Sequence, residues 1–297
     1  MYRNFAEVER YILEHKIVKR IALCGAHDLP ALSAVVDAKR KGLVTGILIG
    51  VSSEIRDLLT KLGEDYDDYE IINITDEAEA AAKAVEMVRF SEADIPMKGL
   101  MQTSSFMRAI LNKETGLLPP GKILSQCTVF EYPDQNRLMF ATDCAVNITP
   151  GFEEKKHLIA NAVELARYFG IETPKVAVLS AVEKFNPKIP STVEAMELAN
   201  QTWDNCIVEG PFALDNAVDL EAAKHKGITG NVAGQADILL MPDLCAGNVF
   251  HKALHFFAHL KSGSALCGTE QPVIMTSRTD TAEAKYLSIL TAILQSL

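Results

Sequence analysis

Near its carboxyl end the chain reads Val273-Ile-Met-Thr-Ser-Arg-Thr-Asp-Thr-Ala-Glu-Ala-Lys-Tyr-Leu-Ser-Ile289. The run Pro272 to Met275 is apolar and predicts a buried strand end. Thr276, Ser277, Arg278 and Thr279 follow, after which Leu287, Ile289, Leu290, Ile293, Leu294 and Leu297 supply the apolar side of a helix. Asp280 with Glu283 three residues on reads as a capping box at its start. A Ser-Arg pair between a strand's carboxyl end and a helix's first turn suits an anion, because backbone N–H groups and the positive end of the helix dipole face it. Arg278 can grip a phosphate with two parallel hydrogen bonds, a geometry that lysine lacks. Strand carboxyl ends are also where open α/β sheets bind ligands. A capped helix carrying a surface arginine would look the same in sequence.

Other residues could contribute to such a site. Lys98 ends a short apolar run and could add charge. Thr103 and Ser104 open a predicted helix over 103–112, where they are either donors to an anion or N-caps. Arg108 lies on the same helix as a second candidate for an anion. Asn248 opens a predicted helix over 247–260 as either a cap or a substrate contact. His251, His255 and His259 recur every four residues on that helix. Paired histidines at this spacing can chelate a metal, but a zincin-type site needs glutamate beside the first, where Lys252 stands. No metal site is expected.

The Ser277-Arg278-Thr279-Asp280 segment resembles the carboxyl-terminal signature of the phosphotransacylases, the family of phosphate acetyl- and butyryltransferases. Three further stretches match in order: Lys98-Gly-Leu-Met-Gln-Thr-Ser-Ser-Phe-Met-Arg108, Glu209-Gly-Pro-Phe-Ala-Leu-Asp215, and Val232-Ala-Gly-Gln-Ala-Asp-Ile-Leu-Leu-Met-Pro-Asp-Leu-Cys-Ala-Gly-Asn248. The resemblance is nearer the butyryl branch, since Lys98-Gly99 stands where the acetyl branch has Ser-Gly. It implies the reaction acyl-CoA + phosphate ⇌ acyl phosphate + CoA by direct attack in a ternary complex. Coenzyme A and phosphate are then substrates, with no tightly bound cofactor. Ser277, Arg278 and Arg108 match motif positions assigned to phosphate and the developing oxyanion. The Thr-to-Arg108 spacing is one residue tighter than the family pattern. The acetyl branch also places a carboxylate seven residues after the serine, where this chain has Ala284. Residues four apart share a helix face, so Asp280 is expected beside position 284, with Glu283 about a hundred degrees away. Asp280 is therefore the expected base, or the group that holds Arg278. Phosphate acetyltransferase is the alternative activity, and a non-catalytic CoA- or acyl-binding protein is the alternative class. An NAD(P)-dependent β-decarboxylating dehydrogenase would need clustered aspartates for Mg²⁺ and several arginines, and no such set is present.

The elements that must position these residues alternate. A helix over 2–16 precedes a strand over 20–24, a helix over 32–40 and a strand over 43–49, a unit that predicts a parallel sheet. Helix 53–62, strand 70–74 and helix 77–90 continue it. The first turn lacks G-x-G-x-x-G, so no dinucleotide fingerprint stands there. Gly116-Leu-Leu-Pro-Pro-Gly121 marks a boundary, and runs over 123–132 and 137–144 predict a hairpin. Helix 152–169, strand 175–180, helix 191–202 and strands 206–210 and 236–241 resume the pattern. The class is α/β. The resemblance adds two α/β domains related to the isocitrate and isopropylmalate dehydrogenase fold, with the site in the cleft between them. The expected first domain is 1–120 plus 264–297, carrying the Ser-Arg motif, and the second is 121–263.

Composition narrows the class. At 297 residues, 48% apolar and 23% charged, the chain has the make-up of a globular enzyme. No run of about 18 apolar residues is present to span a membrane. The formal net charge of −10 disfavours general nucleic-acid binding, so an anionic substrate must be held by local positive charge. Six scattered cysteines without a C-x-x-C pair, and a charged amino terminus, fit reduced thiols in the cytoplasm. The family implies a homodimer or larger homo-oligomer.

Overall fold

The computed structural model describes residues 1–297. The chain divides into two compact units. One, the split unit, holds 5–122 and 263–297; the other, the inserted unit, holds 1–4 and 123–262.

The split unit begins with α1 (Phe5–Glu14), β1 (Lys19–Cys24), α2 (Leu29–Arg40), β2 (Val44–Gly50), α3 (Ser52–Lys61), β3 (Glu70–Asn73), α4 (Glu77–Arg89), β4 (Ile95–Lys98) and α5 (Thr103–Ile110). Its strands pair in the order β3-β2-β1-β4, all parallel. Ile21 to Cys24 of β1 and all of β4 are buried, as strands covered on both faces must be. From β1 the chain winds outward through β2 and β3, then returns to place β4 on the other side of β1. The winding reverses between β1 and β4, and the crevice outside their carboxyl ends is where sheets of this kind take a ligand.

The inserted unit contains β5 (Ser125–Tyr132), β6 (Arg137–Thr142), α6 (Phe152–Tyr168), β7 (Lys175–Leu179), α7 (Pro190–Ala199), β8 (Ile207–Phe212), α8 (Leu214–Val218), α9 (Leu220–His225), β9 (Ile238–Leu240) and α10 (Leu244–Phe256). Its strands run β5-β6-β9-β7-β8. The β5–β6 hairpin is antiparallel, and β6–β9, β9–β7 and β7–β8 are parallel. Gly210 and Pro211 lie inside β8, which runs two residues past the expected strand over 206–210.

The chain re-enters the split unit through β10 (Ser262–Cys267) and ends in α11 (Ala282–Gln295). Between them, Ile274 makes a parallel bridge to Met97 of β4, with the Lys98 amide donating to the Ile274 carbonyl at 2.9 Å. The segment before the Ser-Arg pair thus adds a further strand end beside β4. Residues Lys285 to Leu294 of α11 are all buried, as a helix apolar on every side must be. Tyr286 secures it by donating its hydroxyl to Glu9 of α1 at 2.7 Å. Burial of each Leu or Ile contributes about 1.5–3 kcal/mol, so this helix is a rigid support for the loop ahead of it.

Candidate active site

Three strand ends meet at the crevice: Cys24 of β1, Lys98 of β4, and the 273–276 segment. Backbone packing there is tight. The Gly99 amide donates to the Cys24 carbonyl at 2.8 Å and the Leu100 amide to the Gly25 carbonyl at 2.9 Å. A methyl group on Gly99 would collide with the Gly25 carbonyl, and Gly25 itself has a φ of +70°. The two glycines let β1 and β4 close on each other and bring Lys98 to the site.

Lys98 is 1% exposed. Burial pushes its ammonium below the ordinary lysine range, and the like charges of Lys285 and Arg278 push it further; Asp28 acts the other way. Lys98, Lys285 and Arg278 therefore form one cation cluster around the Ser-Arg loop. Lys285, also 1% exposed, donates to Thr276 Oγ1 at 3.0 Å and to the Ser277 carbonyl at 2.8 Å, and its Nζ stands 3.9 Å from Asp28 Oδ2. Burial lowers its pKa, against Asp28 and Asp280. Asp28 occupies the N-cap position of α2 but makes no side-chain capping bond.

The loop differs from the sequence expectation at its helix end. The N-cap of α11 is Thr281, whose Oγ1 accepts from the Ala284 amide at 3.1 Å. No Asp280–Glu283 capping box forms. Asp280 lies outside the helix, so the expectation that it shares a helix face with position 284 fails. Its carboxylate instead folds back to accept the Ser277 amide at 2.8 Å. The physical reason is competition: the Ser277 N–H, three residues upstream, offers the aspartate a tight turn, and the threonine is left to cap. The Ser277 hydroxyl bonds the Thr279 hydroxyl at 3.1 Å. Ser277 and Arg278 are exposed, and Glu283 is in the first turn of α11.

Thr103 and Ser104 are the first two residues of α5, not its caps. The cap position is Gln102, which makes no side-chain capping bond. Both hydroxyls are exposed, as is Arg108 in the last turn. Asn248 belongs to the inserted unit. It does not open a helix: Asp243 caps α10 by accepting from the Ala246 amide at 2.9 Å, and Asn248, one turn further on, donates Nδ2 to the Cys144 carbonyl at 3.3 Å. The histidine stripe is interrupted, because α10 ends at Phe256 and His259 lies beyond it with a φ of 51°. His251 is taken up by Thr128 Oγ1 at 3.0 Å.

Sequence reasoning placed Ser277, Arg278, Asp280 and Lys98, which the split unit brings together. It missed Lys285 and Asp28. The signal for Lys285 was present: a lysine four and eight residues before Ile289 and Ile293, on the buried stripe of a helix, where an unpaired charge is rarely tolerated.

Comparison with known proteins shows the family. The profile of the phosphate acetyl/butaryl transferase family matches residues 77–293. The chain belongs to that family. A phosphate butyryltransferase from Clostridium acetobutylicum is 45% identical over 298 residues, 99% of this chain and 98% of that one. A phosphate acetyltransferase from Thermotoga maritima is 42% identical over 275 residues, covering 91% and 93%. The crystal structure of a branched-chain phosphotransacylase from Enterococcus faecalis matches with a TM-score of 0.85 at 33% identity, covering 94% of this chain and 99% of that one. Both acyl branches of the phosphate acetyl/butaryl transferases are thus about equally near. No helix is long and apolar enough to cross a membrane, and all six cysteines are free thiols.

Proposed function

We infer that the chain is an acyltransferase that moves a short acyl group, butyryl or a branched relative, between coenzyme A and inorganic phosphate: acyl-CoA + phosphate ⇌ acyl phosphate + CoA. The observation that carries this reading is the cluster of Lys98, Lys285 and Arg278 around one strand-end loop, in a chain whose net charge is −10. Such a protein can hold a phosphate dianion only where positive charge is concentrated.

In this reading Arg278 binds phosphate through its fork. Ser277 donates its hydroxyl to phosphate or to the oxyanion formed when a phosphate oxygen attacks the thioester carbonyl. Lys98 adds charge to the phosphate site. Thr103 and Ser104 offer hydroxyls at the start of α5, and Arg108 is a second cation for phosphate or the thioester oxygen. Asn248 gives one Nδ2 proton to the Cys144 carbonyl, which leaves its Oδ1 and second N–H for coenzyme A. Glu283 flanks the loop from α11. Attack is direct, because holding phosphate beside the carbonyl is itself a large part of the catalysis.

Asp280 takes the holding role rather than that of a base, since its carboxylate fixes the Ser277 amide. Asn can accept the same bond, so Asp280→Asn should stay within a few-fold of wild type. Asp280→Ala should lose about 10-fold or more in kcat/KM, as the cost of one lost hydrogen bond to a charged group. A base would give the opposite pattern, with Asp280→Asn down by about 10²- to 10⁴-fold; steady-state kinetics of the two variants decides.

The two compact units serve as the two domains of the enzyme, and kinship to the isocitrate and isopropylmalate dehydrogenase fold rests on the sequence resemblance. The absence of disulfides supports a cytoplasmic enzyme, and a symmetric homo-oligomer is the expected assembly. The test of acyl choice is kcat/KM with butyryl-, isobutyryl- and acetyl-CoA at saturating phosphate. Butyryl or isobutyryl should lead; an acetyl preference would move the protein to the other branch, and thiol release with none of them would leave a non-catalytic binder.

A further inference from the structure

The two buried lysines at the Ser-Arg loop differ in how their donors are used. Lys285 directs its ammonium to Thr276, the Ser277 carbonyl and Asp28. Lys98, equally buried, makes one long bond of 3.4 Å to the Gly99 carbonyl. An ammonium has three N–H donors, so two are unpartnered in a place where buried polar groups are normally satisfied.

The groups facing Lys98 are Lys285 from α11, Arg278 from the loop, Cys24 from β1 and Asp28 from the start of α2. Two are cations. Asp28 already stands against Lys285. The Cys24 thiol is pushed up to about 12 by burial, so it supplies no anion near neutral pH. A lysine so placed gives up its proton more readily than a solvated one. It is also within charge reach of Arg278, the group that holds phosphate.

The reaction itself moves one proton. Phosphate loses it on being acylated, and sulfur gains it on leaving. Asp280 and Asp28 are committed to the Ser277 amide and to Lys285, so neither is available to carry it.

We propose that Lys98 is the acid–base residue of the acyl transfer, its ammonium protonating the departing coenzyme A sulfur and its amine accepting the thiol proton in reverse. This rests on the acyltransferase reading above. Starting from acyl-CoA, a phosphate oxygen forms the C–O bond, the C–S bond breaks, and sulfur leaves with the electron pair. Lys98 gives that thiolate a proton and is recharged by the one phosphate loses. In reverse, the amine takes the thiol proton, the thiolate attacks the acyl phosphate carbonyl carbon, and phosphate departs with the C–O pair and regains the proton.

The test compares wild type, Lys98→Arg and Lys98→Gln with butyryl phosphate and CoA across pH. Arginine keeps the charge but cannot give up a proton. Both variants should lose about 10²- to 10⁴-fold in kcat at pH 7. The deficit should shrink as the pH passes about 8.5, where the thiol ionises unaided, and the butyryl phosphate KM of Lys98→Arg should stay near wild type. A Lys98→Arg enzyme within a few-fold of wild type, or a deficit constant with pH, overturns the proposal. Should neither variant fold, the wild type decides. With butyryl-CoA and phosphate, activity should fall on the alkaline side through a pKa below the ordinary lysine value, and that pKa should move down on warming, as an amine's does. A limb fixed with temperature overturns the assignment. A wild type that releases no thiol removes the acyltransfer reading itself, which the variant comparison alone cannot do.

Discussion

Replacing Arg278 with lysine should lower kcat/KM for phosphate by about 10²-fold, the scale of one lost charged transition-state contact. The charge stays and the planar fork goes, so the variant separates geometry from charge. Arg278 is exposed and lies outside any helix or strand, so the fold should be unaffected and the melting temperature should stay within a degree or two of wild type. Phosphate KM should rise and kcat should fall, while the acyl-CoA KM changes little. Normal phosphate kinetics in this variant would remove Arg278 from the phosphate site.

The second large effect is expected at Lys285. Lys285→Met removes two bonds from an ammonium to Thr276 and Ser277 and leaves Asp28, 13% exposed, without its cation. Hydrogen bonds to charged groups contribute about 1.5–3 kcal/mol each, so the unfolding midpoint should fall clearly. Activity should fall as well, because the lost bond to the Ser277 carbonyl frees the loop that presents Ser277 and Arg278. A loss of about 10²-fold in kcat/KM for phosphate is expected, by analogy with misplacing a positioned catalytic group. Adding Asp28→Asn should restore part of the stability, since no unpaired carboxylate remains, but none of the phosphate affinity. Thermal unfolding and phosphate KM, measured on both proteins, check the two halves separately. A lowered midpoint with unchanged phosphate KM would make Lys285 a purely structural residue.

The parts of this arrangement that were legible in sequence are those with local causes. Alternation of apolar strands with amphipathic helices showed the α/β class, and the antiparallel hairpin at β5–β6 could be read from two strand-like runs around Pro133-Asp-Gln-Asn136. What escaped was nonlocal or evenly contested. Thr281 and Asp280 are both acceptable N-caps, and the choice turned on a backbone amide at Ser277 that only the folded loop brings within reach. α10 stops at Phe256 although apolar residues continue to Leu260 and no glycine or proline intervenes; the turn is made instead by His259 in a left-handed conformation. β10, with the sequence Ser-Gly-Ser-Ala-Leu-Cys, lacks the alternation or the β-branched residues that mark a strand.

The burial of Lys98 is the clearest case of a property that no local pattern reveals. Its position at a strand end could be read, but its surroundings come from four separate segments: Cys24-Gly25, Asp28, Ser277-Arg278 and Lys285. Sequence therefore offered Lys98 as a charge at the site, with no sign that it is buried. Only the close approach of Gly25 and Gly99 encloses it and turns it from a surface cation into a group with unusual acid–base behaviour.

The most direct test of the account is to incubate the purified protein with butyryl-CoA, with and without inorganic phosphate, and to measure free thiol and acyl phosphate together. The account predicts that thiol appears only when phosphate is present, with one acyl phosphate, trapped as its hydroxamate, for each thiol released. Thiol release without phosphate, or release matched by free butyrate instead of butyryl phosphate, would contradict it.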